Sequence, residues 1–375
     1  MGAMAVGAML AVGCGTTTET TATTTTARPP SAPYAKTGPF GVGFTTTRLA
    51  DGRRVVIWYP TAAGASAGHQ QESIDISGLL SPELQAKIPA SSRVVYPAPA
   101  YQDVAPAHSK VGAFPLVLFS HGYAGYPEQS VTLTTHLASW GFVVAAPDHV
   151  ERSLDGILGT AATGVTKSTD PAVLSATLDL MTSASAPELV RGLVDPTRVA
   201  VVGHSAGAGA AYAEASADKR ISTWISYSVG FGGQAGPAPA APEKPGMVML
   251  GTTDGIIPAS ASEQVYAGMH TPKYLVKIAG AGHLVFSDIC LIGKSSGGIT
   301  GIAKALALPI PENLLKLGSD GCTSDHPPVE KAFPAIDHLS VAFLREVFRI
   351  DPAPLGLDTA SVAHLGADVT VEHKG

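Results

Sequence analysis

The sequence predicts an α/β protein, with a mostly parallel, doubly wound sheet, an N-terminal antiparallel hairpin and one long insertion late in the chain. Three observations predict it. From Phe114 onward, short continuously apolar runs alternate with helix-length stretches, the pattern of strands covered on both faces. One run leads through Gly203-His204-Ser205-Ala206-Gly207 into an Ala-rich stretch, which reads as a strand, a sharp turn and a helix. Composition agrees, because a chain with 45% hydrophobic and 14% charged residues can bury a large core. Single cores stop growing near about 250–300 residues, so part of the 375-residue chain is expected outside the domain.

That part is at the front. Residues 2–13 are wholly apolar and end at Cys14, after which nine of residues 16–26 are Thr. Twelve helical residues reach only about 18 Å, short of a bilayer core, so the run reads as the apolar region of an export signal. Small residues before a cysteine, followed by a polar stalk, resemble a bacterial lipoprotein signal. The resemblance implies acylation of Cys14 and contact with a membrane through that anchor, in the cell envelope, or else secretion. The expected organisation is a signal over residues 1–14, a Thr/Pro-rich stalk over 15–37, one catalytic domain over 38–350 and a tail over 351–375.

Within the domain, residues 40–49 and 54–59 are β-rich and joined by Asp51-Gly52, a strong turn signal. They are expected as a hairpin at a sheet edge. Residues 61–113, rich in Ala, Ser and Pro, read as a long connection with short helical pieces. Strands are then expected at 114–119, 142–146, 198–202, 223–227, 247–250 and 273–278, and helices at 129–139, 172–182, 206–217, 260–269 and 335–348. Residues 284–334 form the insertion, with a Gly-rich stretch at 293–301 and an apolar helical segment at 302–308. Cys290 and Cys322 also lie in it and are a plausible pair in an oxidising compartment; a bridge closing about 32 residues stabilises by roughly 3–4 kcal/mol in the entropic view. A pinned insertion beside a site is expected to be a substrate wall more than a mobile flap.

The chemistry is written around the turn at 203–207, which has the pattern G-x-S-x-G between a strand and a helix. Its glycines permit a sharp turn and close helix–strand approach, which leaves Ser205 exposed at a helix N-terminus. A serine hydroxyl is a weak nucleophile and needs a histidine base oriented by a carboxylate. Asp254 follows the expected strand at 247–250, and His283 follows the one at 273–278. Ser205, Asp254, His283 is the chain order of an α/β-hydrolase, with all three on one rim of the sheet. Asp148 is the main rival for the acid, but it precedes the serine; among competing histidines, His204 occupies the variable elbow position, His121 the preceding loop and His149 the end of another strand, while His326 and His338 lie in or after the insertion. Two backbone donors are expected to form an oxyanion hole, the N–H of Ala206 and that of Tyr123 in the loop 120–125. Tyr123, His204 and Phe286 are the candidate substrate contacts.

Several stretches carry a family resemblance. They are Leu116-Val117-Leu118-Phe119-Ser120-His121-Gly122, the run over 137–153 that ends Asp148-His149-Val150-Glu151-Arg152-Ser153, the openings at 38–43 and 55–60, Gly282-His283, Phe286-Ser287-Asp288, and Ala342-Phe343-Leu344. Together they resemble the platelet-activating-factor acetylhydrolase family and its bacterial esterase relatives. That resemblance implies a Ser-His-Asp carboxylic ester hydrolase acting on short-acyl or lipid-like esters, with Ser205, Asp254 and His283 as its triad. Bacterial cutinases and polyester hydrolases are similar in the Gly122-Tyr123 loop. They typically place a Trp between the nucleophile helix and the acid strand, where this chain has a Gly-, Ala- and Pro-rich stretch at 230–245.

Other classes are set aside on composition. A net charge of −6 with no long basic run gives no footprint for nucleic acid. Two isolated cysteines and no His-x-x-x-His pair give no metal signal, and no G-x-G-x-x-G after a strand or Walker lysine motif gives a cofactor signal. A serine esterase acting through an acyl-enzyme is the first expectation. An interfacial lipase or cutinase-type polyester hydrolase is the alternative, and a non-catalytic surface lipoprotein the second, against which the ordered triad argues.

Overall fold

Along each central strand, successive residues are claimed by opposite faces of one sheet. Val117 and Phe119 join one apolar layer while Leu116 and Leu118 join the other, all fully buried. This two-sided burial is why the strands read as unbroken apolar runs. The computed structural model describes residues 1–2, 31–108, 112–159, 161, 164–232 and 238–375. The expected signal with Cys14, and most of the stalk, lie outside the described residues.

Residues 31–375 form one unit around an 11-stranded sheet. The strands are β1 (Gly41–Arg48), β2 (Arg54–Thr61), β3 (Gln71–Asp75), β4 (Val95–Gln102), β5 (Phe114–Ser120), β6 (Val143–Pro147), β7 (Val194–His204), β8 (Thr223–Tyr227), β9 (Gly246–Gly251), β10 (Lys273–Ile278) and β11 (Val369–Lys374). Their spatial order is β11-β10-β9-β8-β7-β5-β6-β2-β1-β4-β3. From β6 through β10 every pairing is parallel; β2 joins β6 antiparallel, and β11 joins β10 antiparallel. One face is covered by the helices Val131–Ser139 and Phe333–Val347, the other by Asp170–Thr182, Ala206–Ala217 and Ala259–Gly268. The start of Asp170–Thr182 has a local cause: Thr169 accepts the Ala172 N–H at its N-cap, with Pro171 in the first turn.

The flanks depart from expectation. The β1–β2 hairpin is interior, because β4 and β3, drawn from the supposed connection at 61–113, cover its outer side. Two prolines in β4 hide it in the sequence; β4 pairs with β1 only at Tyr101 and Gln102, so at Pro97 and Pro99 its β1 side carries no ladder, and proline is tolerated there. The tail at 351–375 supplies β11, an edge strand with mostly exposed side chains. The end of the expected stalk also packs on the domain. Tyr34 is buried, its ring meets Trp140 edge-on at 4.8 Å, and its N–H donates to His338 Nδ1 at 3.3 Å.

Candidate active site

Ser205 sits between β7 and the helix Ala206–Ala217 at φ 58°, in the left-handed region that a serine adopts only where surrounding structure imposes it. The imposition is visible at both elbow glycines. A Cβ on Gly203 would lie 2.1 Å from the Gly207 carbonyl oxygen, and one on Gly207 would lie 2.0 Å from that of Ser120. Only hydrogen fits at either position.

Asp254 follows β9 and His283 follows β10, so the parallel register brings both to the rim where β7 ends. Ser205 Oγ lies 2.9 Å from His283 Nε2, and His283 Nδ1 lies 2.8 Å from Asp254 Oδ2. The other Asp254 oxygen accepts the N–H groups of Ile256 and Ile257 at 2.8 and 2.7 Å, which fixes the carboxylate plane. Burial works to raise the Asp254 pKa, but the His283 hydrogen bond and charge and those two amides outweigh it and hold the carboxyl below its ordinary range. The rival Asp148 instead faces His121 Nε2 at 3.5 Å.

The loop 120–125 presents its amides selectively. Gly122 N–H donates to Gln129 Oε1 at 2.9 Å, Ala124 N–H to the Arg152 carbonyl at 2.8 Å, and Gly125 N–H to the Gly122 carbonyl at 3.1 Å. Among the described residues the N–H groups of Tyr123 and Ala206 meet no acceptor, and these are the two assigned from sequence to an oxyanion. Tyr123 itself lines the cleft mouth and is 46% exposed.

The other two contact candidates take different roles. His204 borders the cleft, but both ring nitrogens are engaged. Gln129 Nε2 donates to its Nδ1 at 3.0 Å, and its Nε2–H donates to the His283 carbonyl at 3.0 Å. Burial, with His283 beside it, holds this ring down to about 3, so it stays a neutral bridge from Gln129, which also holds Gly122, to the turn carrying His283. Phe286 turns into the core against Tyr227, with ring centroids 5.3 Å apart, and does not line the cleft; it lies in the same buried turn that fixes His283.

Sequence reading passed over several supporting groups. Asp320, from the insertion, accepts the His283 N–H at 2.6 Å and the Gly255 N–H at 3.3 Å, so one carboxylate ties the base loop to the acid loop. Two residues on, Cys322 is bonded to Cys290, with Cα atoms 5.0 Å apart. Gln129, Arg152 and Asp170 were also missed, because nothing in their local pattern marks them. Arg152 does stand in a stretch that carried the family resemblance.

Above Ser205 opens a cleft of about 1160 Å³, a volume that includes open solvent at its mouth. One wall comes from residues 76–94, with Leu80 and Ile88; the other comes from the insertion, with Ile292, Ile302, Leu308 and Leu314. The insertion lines one wall of the cleft, and its α-helices run Gly298–Ala305 and Glu312–Leu317.

Residues 81–251 match the model of a family described as Chlorophyllase. The chain is a carboxylic ester hydrolase. The matched stretch contains Ser205 and ends three residues before Asp254. The family differs in name from the acetylhydrolases that the sequence motifs resemble, and the ester chemistry is common to both. In structure, the hydrolase is similar to a ferulic acid esterase from Streptomyces cinnamoneus, with TM-score 0.60 and 22% identity over 93% of this chain and 98% of that one. That likeness is one of fold. No curated protein matches the chain.

Proposed function

We propose that this hydrolase works through an acyl-enzyme on lipid-like esters, those carrying an extended aliphatic group. The observation that carries the reading is the hydrogen-bonded line from Ser205 through His283 to Asp254 at the floor of an aliphatic cleft. Ser205 Oγ attacks the ester carbonyl carbon while His283 Nε2 takes its proton, and Asp254 keeps the imidazole oriented and stabilises its charge. The Tyr123 and Ala206 amides receive the negative oxygen of the tetrahedral intermediate. Collapse expels the alcohol, protonated by His283; water then attacks the acyl carbonyl with the same base and frees Ser205.

The aliphatic walls argue the substrate. Each methylene moved from water into such a cleft gains about 0.8 kcal/mol, roughly fourfold in binding. Turnover of p-nitrophenyl esters from acetate to palmitate tests this, with Ser205→Ala alongside. The panel includes chlorophyll and a feruloyl ester, the substrates named by the matched family and the structural relative. We expect kcat/KM to rise with chain length to a maximum beyond butyrate, and Ser205→Ala to lose at least ~10⁴-fold with its fold intact. A preference for acetate sinks the lipid-like substrate; full turnover in Ser205→Ala sinks the nucleophile.

Export with acylation at Cys14 is proposed on the apolar run 2–13 and on the Cys290–Cys322 bond, which persists in oxidising compartments. Cells fed labelled palmitate should mark the wild type and not Cys14→Ser. An unlabelled wild type refutes the anchor.

A further inference from the structure

The loop 120–125 lies outside any helix, so the direction of each peptide plane must be set by partners elsewhere. One buried guanidinium sets most of them. Arg152, 8% exposed, donates from Nη2 to Ser120 Oγ at 2.9 Å and from Nη1 to the Gly122 carbonyl at 2.9 Å, and Nη1 also donates to the His121 carbonyl. Its Nε donates to both oxygens of Asp170, at 2.9 and 3.1 Å, and its own carbonyl accepts the Ala124 N–H.

A trans peptide plane converts these contacts into an aim. The carbonyl of one residue and the N–H of the next point in opposite directions across the plane. Drawing the His121 carbonyl onto Arg152 turns the Gly122 N–H away from it, and that N–H is found on Gln129 Oε1. Drawing the Gly122 carbonyl onto Arg152 likewise turns the Tyr123 N–H to the far side of the loop. The loop lies against the nucleophile, since a Cβ on Gly122 would come within 3.4 Å of Ser205 Cβ.

We propose that Arg152 is the positioning residue for the Tyr123 amide, holding two carbonyls behind the loop so that the amide in front is aimed at the developing oxyanion. The inference rests on the reading of Ser205 as nucleophile and Tyr123 as donor. Arginine suits the task because its planar fork reaches Ser120, His121, Gly122 and Asp170 at once, which a lysine ammonium cannot. Asp170 balances the buried charge from the first turn of its helix, where the dipole also favours a carboxylate.

The test compares a p-nitrophenyl ester with its thionoester, whose C=S sulfur is a weak hydrogen-bond acceptor and gains little from the amides. We expect Arg152→Lys and Arg152→Gln to lower kcat on the oxygen ester by about 100-fold to 1000-fold with KM little changed, and the oxygen-to-thiono rate ratio to fall by the same factor. Tyr123→Pro, which deletes the N–H itself, should give the same loss, and the double variant Tyr123→Pro with Arg152→Lys should cost no more than either alone. Equal slowing of both esters, or an unchanged ratio in Arg152→Lys, overturns the proposal and leaves Arg152 a support of the fold. If Arg152→Gln does not fold, Arg152→Lys and Asp170→Asn carry the same measurement. Failure of the underlying reading shows separately, as turnover retained in Ser205→Ala.

Discussion

Two Ser–His–Asp lines stand on adjacent strands of this protein. One runs from Ser205 through His283 to Asp254 at 2.9 and 2.8 Å. The other runs from Ser120 at the end of β5 to His149 at 2.9 Å and on to Asp170 at 2.7 Å, with Ser120 paired to Gly203 in the ladder. By distance alone they are the same device. They differ at the acid and around the hydroxyl: His283 Nδ1 is hydrogen-bonded to Asp254, whereas His149 Nδ1 lies close to Asp170 without a hydrogen bond. Ser205 opens onto the cleft, sits in a strained left-handed turn, and has the Ala206 and Tyr123 amides beside it. Ser120 is fully buried, and its oxygen already accepts a hydrogen bond from Arg152. A nucleophile needs a free lone pair, a route for substrate and a receptor for the oxyanion, and two correct distances supply none of these. The second line joins Arg152 in bracing the loop 120–125, which lies against Ser205.

The largest expected difference is between the two acids. Asp254→Asn should cost turnover about 10⁴-fold with the fold retained, because the imidazole is then held in the wrong tautomer. Asp170→Asn removes the counter-charge of the buried Arg152, and should lower stability by about 3 kcal/mol. Its turnover loss should not exceed the roughly 10²–10³-fold worth of one oxyanion donor. Steady-state kinetics with urea titration of both variants separates the outcomes. If Asp170→Asn is folded and as inactive as Asp254→Asn, the distinction between the lines is wrong.

The contrast also explains which parts were legible in the sequence. Ser205, Asp254 and His283 each follow a strand in a repeating β/α pattern, and chain order constrained their identity before any geometry was available. The central strands and five covering helices were readable for the same reason, since their burial is periodic. Legibility fails where local pattern and role part company. β4 carries prolines that it bears because its ladder to β1 is confined to Tyr101 and Gln102, and β11 is too polar to resemble its neighbours. Arg152 and Asp320 act through bonds to loops distant in sequence, and Gln129 through its bond to His204, so only the folded chain reveals them. Phe286 shows the converse: a residue close to His283 in sequence was expected at the cleft, but the turn after β10 points it into the core.

A smaller effect sharpens the comparison through pH. Burial, reinforced by the Arg152 charge and opposed by Asp170, holds the His149 ring down to about 3. In the unfolded chain the same ring titrates at about 6.5. Between those values the unfolded state binds a proton that the native state refuses, so stability rises with pH through this window and is lost on acidification. From pH 7 to pH 4 this one group should remove about 3 kcal/mol, an amount that His149→Gln would not lose because glutamine does not titrate. Urea midpoints at the two pH values, compared between wild type and His149→Gln, provide the check. A difference between the two proteins that does not change with pH means the native ring takes up its proton as readily as the unfolded one, and at pH 4 Ser120 then accepts from two cations and has no histidine to receive its proton. Neutral His149 leaves Ser120 donating to the ring and accepting from Arg152, fully used by its neighbours and unable to attack.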